Sequence, residues 1–330
     1  MHSFTVFVGS SSGEINVRTT NRPELVGDQV FIRVTASGLC GTDLHFRKSG
    51  IGLGHEGVGV VEQLGPECTR LQKGDRVGWG YQHDCCGSCT QCLKGNETFC
   101  PQRKTYSKAS LDQGSMAECA IWRETFLHLI PSNISNSDAA PLMCAGATVF
   151  NALLAQPKDT MGVVGVLGIG GLGHLAIQFA RAMGHRVIAF STSEDKRQEA
   201  MDLGAHVFVS GSTECDYKSL ELTRLLITTS AHPPLEAITQ AMAPCSTIIP
   251  LYVDDTDLRI PYSRFFDGGL RWQASIGAPR HVFKAMLEFA ACHDIKPIIE
   301  KFPMTAEGCD RAMTRLERGE MRYRGVLTKD

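Results

Sequence analysis

Residues 162–183 read GVVGVLGIGGLGHLAIQFARAM. An apolar run at 162–167 predicts a strand, the glycines at 168–173 predict a turn, and 174–183 predicts a helix. A glycine-rich turn between a strand and a helix lets the backbone approach a pyrophosphate at the positive end of the helix. The alternative is a turn that serves only packing, but the strand–turn–helix context favours a dinucleotide site.

Strand-like and helix-like segments alternate after this turn. The segments 186–190, 225–228, 247–251 and 272–276 predict further strands, and 282–291 predicts a helix. Such alternation is typical of a parallel sheet with helices on both faces. We therefore predict an α/β fold with a doubly wound parallel-sheet domain at 149–290.

The end of the second predicted strand indicates which dinucleotide binds. A site for NAD usually has a carboxylate there, about 20 residues after the glycines, to bind the ribose 2′-hydroxyl. This chain has hydroxyl side chains instead, with a cation just beyond them, and these groups suit the 2′-phosphate of NADP(H). The alternative is that Glu194 fills the acidic role. The predicted cofactor-binding residues are Gly168, Gly170, Gly171, Leu172, Gly173, Ser191, Thr192, Ser193, Lys196, Ser275 and Ile276.

The first part of the chain, to about residue 130, contains short β-type runs separated by glycine. Examples are 5–8, 30–34, 57–61 and 75–79, which predict a compact β-rich unit. We expect the C-terminal tail, with a predicted helix at 305–317, to return to this unit. Loops of a rigid β scaffold are common positions for functional residues.

Four cysteines lie close together in this β-rich part. Two-residue gaps bring successive sulfurs to a common centre, and a closed set of four sulfurs leaves no coordination position for a substrate. The sequence therefore predicts a structural zinc site, and four unrelated thiols are the disfavoured alternative. Cys85 could substitute for the first ligand, but the spacing favours Cys86. The predicted ligands are Cys86, Cys89, Cys92 and Cys100.

Residues 40–56 contain a second set of ligand types. Cys40, His55 and Glu56 offer a thiolate, an imidazole and a carboxylate, with a hydroxyl and another imidazole between them. Sulfur and imidazole are ligands that zinc prefers, and two or three protein ligands leave a position open for chemistry. We interpret this stretch as part of a catalytic zinc site.

Composition limits the remaining function classes. The chain has 330 residues, a formal net charge of −2 and 13 cysteines. This charge gives no electrostatic reason to expect a nucleic acid or an anionic membrane as a partner. Residues 1–5 do not resemble a signal peptide, and no apolar run reaches the roughly 18 residues of a membrane span. We therefore expect a cytoplasmic protein.

Under the reducing conditions of the cytoplasm, clustered cysteines indicate metal rather than disulfides. We expect the cysteines without a partner at ligand spacing to be small buried hydrophobic residues. These are Cys68, Cys119, Cys215, Cys245, Cys292 and Cys309.

Together these motifs resemble those of the zinc-containing medium-chain alcohol dehydrogenases. Within that family, they resemble the cinnamyl-alcohol-dehydrogenase-like branch. The resemblance covers nearly the whole chain. It rests on CGTDLH at 40–45, GHE at 54–56, the four-cysteine lobe, PLMCAG at 141–146, the glycine turn at 168–173, STS at 191–193 and MRYR at 321–324. One departure is the loop between His45 and Gly54, which is shorter than in many relatives.

The resemblance implies a GroES-like catalytic domain at 1–148 and 291–330, with a structural zinc lobe at about 85–101, and a Rossmann domain at 149–290. It implies two zinc ions per chain and commonly a homodimer. It also implies site roles. Cys40, His55 and Cys144 would hold the catalytic zinc, with Glu56 nearby. Asp43 would orient His55, and Thr42 and His45 would form a proton relay.

The implied activity is hydride transfer between NADP(H) and a primary alcohol or aldehyde, in the direction of aldehyde reduction. Zinc would polarise the carbonyl, and the relay would supply the proton. One alternative on the same scaffold is hydride addition to the β-carbon of a conjugated aldehyde, iminium or enone. Another, from a different class, is a catalytically silent nucleotide-binding protein. The complete ligand set favours the enzyme.

Overall fold

The structure, a computed structural model, describes residues 1–155, 162–211, 216–229, 234–253, 257 and 259–329. The chain divides into two compact units. The first contains Met1–Ala147 and Gly277–Asp330, and the second contains Thr148–Ile276. The C-terminal tail thus belongs to the first unit.

The first unit is built around a seven-stranded sheet. Its long strand Gln29–Gly38 shows why the sequence forms a sheet, since Val30, Ile32, Val34 and Ala36 are fully buried at every second position. The pairing order is Ile299–Pro303, Arg324–Thr328, Gln29–Gly38, Glu56–Leu64, Arg76–Trp79 and His128–Leu129, with Cys119–Arg123 also paired to Gln29–Gly38. The first pair is parallel, and the other pairs are antiparallel.

Shorter elements complete the first unit. Two small antiparallel sheets pair His2–Val8 with Asn16–Arg22, and Gln82–Asp84 with Lys104–Thr105. The helices are Gly41–Phe46, Thr90–Leu93, Asn136–Pro141, Arg280–Cys292 and Ala306–Glu317, with a π-helix at Leu142–Gly146 and 3₁₀ turns at Glu97–Phe99 and Glu124–Phe126.

The helix Arg280–Cys292 lies in the first unit, whereas the sequence prediction uses it to close the second domain. The Phe283 ring stacks on His128 with centroids 4.4 Å apart. The backbone N–H of Arg280 donates to Glu97, 2.8 Å away. These contacts place the second boundary at 276/277 rather than 290/291, because the apolar face of the helix packs on the β-rich unit.

In the described part of the second unit, six parallel strands form one sheet. Numbered along this unit they have the order 3-2-1-4-5-6, which is typical of dinucleotide-binding doubly wound domains. In that spatial order the strands are Val207–Ser210, Arg186–Ser191, Val163–Leu167, Leu222–Ile227, Met242–Pro250 and Arg271–Trp272. The last strand is shorter than the predicted 272–276, so Ser275 and Ile276 lie beyond it.

Short helices connect these strands. They are Gly173–Ala182, Arg197–Asp202, Leu235–Ile238 and Tyr262–Gly268, with 3₁₀ turns at Glu194–Lys196, Tyr217–Leu220 and Thr239–Ala241. The helix Ala147–Leu154 crosses the boundary between the units. In the described part of the chain, every helix is too short or too polar to span a bilayer.

The isolated cysteines differ in exposure. Cys309 is buried, and Cys68 and Cys119 are partly buried. The prediction of burial is wrong for Cys245 and Cys292, which are exposed. Cys292 ends a surface helix, and Cys245 adopts a φ of 60° in its strand. The sixth, at position 215, lies outside the described residues.

Close packing in the first unit generates a stability prediction. A Cβ on Gly57 would lie 2.1 Å from the indole of the fully buried Trp79. We expect Gly57→Ala to lower the free energy of unfolding by about 1–3 kcal/mol, since overpacking displaces neighbours. Gly50→Ala is the control, because its Cβ meets nothing within 4 Å. Urea titration followed by tryptophan fluorescence measures both, and equal midpoints would contradict the packing argument.

Candidate metal centres and cofactor site

Four potential ligands converge in the first unit. Cys40, His55, Glu56 and Cys144 each offer one ligand atom, and these atoms all lie within 4.8 Å of one another. Cys40 precedes the helix Gly41–Phe46, while Glu56 begins the strand Glu56–Leu64 and His55 directly precedes it. The fold of this unit therefore brings together residues that are far apart in sequence.

Cys144 reaches the group through an irregular helix. It lies in the π-helix Leu142–Gly146, directly after Asn136–Pro141. Single π turns inside α-helices are often found at functional sites, because they rotate a side chain away from the regular helical position.

The His55 ring has a fixed orientation. Its Nδ1 lies 3.0 Å from Oδ1 of Asp43, a carboxylate that also accepts the Cys40 backbone N–H at 2.9 Å. An ionised carboxylate only accepts hydrogen bonds, so Nδ1 carries the donated proton. His55 Nε2 is buried and has no hydrogen-bond partner among the described residues. A buried imidazole whose Nδ1 is held by a carboxylate, in one group with two cysteine sulfurs, fits a zinc ligand set.

The protons of this group are shared. A hydrogen bond from Cys144 holds the pKa of Cys40 well below its usual range, and the same contact raises the pKa of Cys144. Burial disfavours the charged His55 ring, but the Asp43 carboxylate raises the pKa of His55 well above its usual range. A thiolate–thiol pair beside such a histidine is a set from which a cation displaces protons.

Glu56 has a partner from the C-terminal strand. Burial raises the pKa of Glu56 to about 7, against the opposing effect of the Arg324 guanidinium. Arg324 is 5% exposed and pairs with Oε1 of Glu56, whereas Oε2 has no hydrogen-bond partner within the described chain. The MRYR stretch at 321–324 carries part of the family resemblance, but no role for Arg324 follows from the sequence. An otherwise apolar strand that carries one arginine is the sequence pattern that could have indicated this ion pair.

The two predicted relay residues lie on one short helix. Thr42 is partly buried, and its Oγ1 lies 3.6 Å from the Cys40 sulfur. His45, one helical turn later, is exposed. The structure therefore brings Thr42 to the ligand group and leaves His45 at the surface of the unit.

The four cysteines of the lobe also converge. Cys86 lies 3.9 Å from Cys92 and 3.6 Å from Cys100, and Cys89 lies 3.6 Å from Cys92, measured between sulfurs. Backbone N–H groups of Ser88 and Cys89 lower the pKa of Cys86 to about 6. Cys85 is not in the group. Four sulfurs at these separations fit one tetrahedral zinc.

The glycine turn of the second unit has close contacts. Gly168 has a φ of 97°, and a Cβ on Gly173 would lie 1.9 Å from the Gly168 carbonyl oxygen. Gly170 has open space where its Cβ would be. Lys196 Nζ donates to the Ile169 carbonyl at 2.7 Å. The turn thus lies beside the end of the neighbouring strand, with Gly171 and Leu172 leading into the helix.

The hydroxyl side chains follow that neighbouring strand. Ser191 is its last residue, and its Oγ accepts the Ser193 backbone N–H at 3.2 Å, while Thr192 is exposed. Glu194, the alternative acidic residue, is exposed and paired with Arg197. Away from these residues, Ser275 hydrogen-bonds Asn151 at 3.5 Å and Ile276 is 45% exposed.

Comparisons with known proteins agree with this arrangement. The family model described as the alcohol dehydrogenase GroES-like domain matches residues 27–132, and the one described as zinc-binding dehydrogenase matches 171–291. The chain is 34% identical to a probable cinnamyl alcohol dehydrogenase 8A of Oryza sativa subsp. japonica, over 96% of this chain and 92% of that protein. It is 31% identical to an alcohol dehydrogenase of Geobacillus stearothermophilus, over 95% of each.

A solved structure agrees as well. The cinnamyl alcohol dehydrogenase SbCAD4 from Sorghum bicolor superimposes with a TM-score of 0.90 at 29% identity, covering 99% of this chain and 98% of that chain. The predicted fold class, a GroES-like β-rich domain plus a Rossmann domain, is confirmed.

The two cysteine groups predict different mutant behaviour. We expect Cys40→Ser and Cys144→Ser to lose one zinc ion per chain with a smaller fall in melting temperature than Cys86→Ser, since the seven-stranded sheet holds their site without the metal. Cys86→Ser should lose the other zinc and unfold at lower temperature, because the closed site stabilises its lobe. Metal analysis and thermal melts measure this, and identical behaviour of all three variants would contradict the division.

Proposed function

The chain belongs to the zinc-binding alcohol dehydrogenases of the cinnamyl-alcohol-dehydrogenase-like branch, and we propose that it is a zinc-dependent, NADP(H)-using reductase of aldehydes. The substrate pair would be a primary alcohol and its aldehyde. The observation that carries this proposal is the convergence of Cys40, His55 and Cys144, whose ligand atoms lie within 4.8 Å of one another.

The residues of the ligand group would have different functions at the metal site. When bound, zinc supplies Lewis-acid polarisation of a carbonyl and the reduced nicotinamide supplies hydride. Cys40, Cys144 and His55 would hold the metal, and Asp43 would keep His55 in the tautomer with Nε2 free. Glu56 would be a nearby carboxylate, held by Arg324.

A proton must reach the product oxygen during reduction. We assign the relay to Thr42 and His45, because Thr42 contacts the Cys40 sulfur and His45 is exposed to solvent on the same helix. A hydroxyl next to the reacting oxygen and an imidazole at the surface suit general acid–base transfer.

The dinucleotide would bind at the glycine turn of the second unit. The free space at Gly170 and the helix Gly173–Ala182 suit a pyrophosphate. The hydroxyls of Ser191 and Ser193 and the Lys196 ammonium support NADP(H) over NAD(H), since Glu194 is already paired with Arg197. Thr192, Ser275 and Ile276 belong to the same proposed site.

Further expectations come with family membership. We propose two zinc ions per chain, one catalytic and one in the four-cysteine lobe. We also propose a homodimer in the cytoplasm that acts on a small molecule, without nucleic acid or membrane as a partner.

The cofactor proposal predicts a large preference. We expect NADPH consumption with a panel of aldehydes of varied size to exceed NADH consumption by at least about tenfold in kcat/KM. Ser191→Asp should remove most of this preference, because a carboxylate repels the 2′-phosphate. Ser263→Asp adds the same charge on the exposed helix Tyr262–Gly268 and should change nothing. Equal kcat/KM for the two cofactors in the unmodified enzyme would contradict the proposal.

The product identifies the carbon that receives hydride. With NADPH and a conjugated aldehyde, we expect the allylic alcohol, because a polarised carbonyl and a proton relay favour addition at the carbonyl carbon. Chromatography of the products measures this. Formation of the saturated aldehyde would instead assign the enzyme to reduction of the conjugated double bond, and no NADPH oxidation with any aldehyde would favour a silent nucleotide-binding protein.

A further inference from the structure

Arg47 directly follows the helix Gly41–Phe46, which carries the proposed relay residues Thr42 and His45. A helix of six residues is marginal by itself, so its position depends on contacts with the rest of the unit. The backbone N–H of Arg47 donates to the Leu44 carbonyl at 3.3 Å and closes the last turn. Whatever holds Arg47 therefore also holds the C-terminal end of this helix.

The guanidinium of Arg47 makes four hydrogen bonds. Its Nε donates to the Gly13 carbonyl at 2.9 Å. The terminal nitrogens donate to three side chains that share one face of the helix Ala306–Glu317. These acceptors are Asp310 at 2.6 Å, Thr314 at 3.1 Å and Glu317 at 3.3 Å.

These bonds form one network rather than separate surface ion pairs. Single exposed ion pairs contribute little to stability, but a planar fork of five N–H donors can hold several acceptors in one fixed geometry. The Arg47 side chain is only 16% exposed, although its two carboxylate partners are more accessible. Its guanidinium is thus the shared centre of the contacts between the two helices and the Gly13 turn.

The backbone of Arg47 is held as well. The Ser10 backbone N–H donates to the Arg47 carbonyl at 3.2 Å. A Cβ on Gly9 would lie 2.2 Å from the same carbonyl oxygen, so the chain at 9–10 lies directly against it. Arg47 therefore joins three stretches of the first unit through both its backbone and its side chain.

The two relay residues differ in how they are held. Thr42 lies at the N-terminal end of the helix, where its hydroxyl contacts the Cys40 sulfur at 3.6 Å. His45 is exposed, so packing does little to hold it and its place depends on the backbone of the helix. That backbone continues directly to Arg47, two residues later.

We propose that Arg47 is a positioning residue for the proton relay: it fixes the C-terminal end of the helix, and thereby the position of His45 relative to Thr42. The inference rests on the proposed function, because it requires these two residues to carry the proton. Proton transfer needs groups within hydrogen-bond reach, directly or through one water. A misplacement of about 1 Å can therefore cost up to about 100-fold in rate.

The test is aldehyde reduction by the full-length zinc-loaded protein with saturating NADPH. Arg47→Met keeps an apolar stem and removes all four side-chain hydrogen bonds. We expect kcat to fall at least about tenfold with KM nearly unchanged, since no group at the metal or at the cofactor turn is altered. The ratio of kcat in H₂O to kcat in D₂O should rise by at least about 1.5-fold, because proton transfer becomes slower relative to hydride transfer.

A double-mutant cycle distinguishes positioning from general damage to the fold. His45→Ala should itself lower kcat, and adding Arg47→Met to it should change kcat by less than about twofold, because Arg47 acts through His45. Should Arg47→Met fail to fold, Asp310→Asn weakens the same network more mildly. It should lower kcat by about two- to threefold, with the same dependence on His45.

Arg315→Met is the matched control. Arg315 lies on the same helix as Asp310 but pairs with Glu300 and Glu320 instead of Arg47. We expect its kcat and solvent isotope effect to equal those of the unmodified protein. Zinc analysis and thermal melts of every variant separate an effect on the relay from loss of metal or of folding.

Three results would overturn the inference and leave zinc-dependent reduction intact. They are unchanged kcat in a folded, zinc-loaded Arg47→Met protein, additive effects of Arg47→Met and His45→Ala, and unchanged kcat in His45→Ala. If the unmodified protein oxidised no NADPH with any aldehyde, the proposed function and the inference would both fail.

Discussion

The hydrogen bond between the Asp43 carboxylate and Nδ1 of His55 connects separate parts of the first unit. Asp43 lies in a short helix after one strand, and His55 directly precedes the next strand. Both side chains are fully or almost fully buried. An ionised carboxylate at such a position is stable only with donors around it, so the pair fixes the tautomer of the ring and leaves Nε2 for a metal.

The rest of the ligand group depends on one departure from regular structure and one ion pair. Cys144 lies in a π turn, and Glu56 is held by Arg324 from the C-terminal strand. That strand pairs antiparallel with Gln29–Gly38, which explains why the tail returns to the first unit. The group of candidate ligands is therefore built from three distant stretches of sequence.

The second unit has a different kind of constraint. Gly173 must lack a side chain because its Cβ would overlap the Gly168 carbonyl, so the helix begins very close to the strand that precedes it. This closeness puts the first backbone N–H groups of the helix at the carboxyl edge of the parallel sheet. Lys196, which donates to the Ile169 carbonyl, adds a cation at the same edge.

Local sequence determined much of this protein. Cysteines at two-residue gaps and glycines between a strand and a helix act over a few residues, so Cys86 to Cys100 and Gly168 to Gly173 could be assigned to their elements without a structure. The alternation of apolar segments likewise predicted the parallel sheet, because burial on both faces requires nearly continuous apolar strands.

Only the tertiary structure decided the contacts that join distant residues. The sequence could not assign the helix Arg280–Cys292 to a unit, because an apolar helix face can pack on either one. The stacking of Phe283 on His128 places it in the first unit. No role for Arg324 followed from the sequence, since a buried arginine acquires its role from the carboxylate beside it. Side-chain pairing across a sheet depends on register, and no short stretch of sequence carries that information.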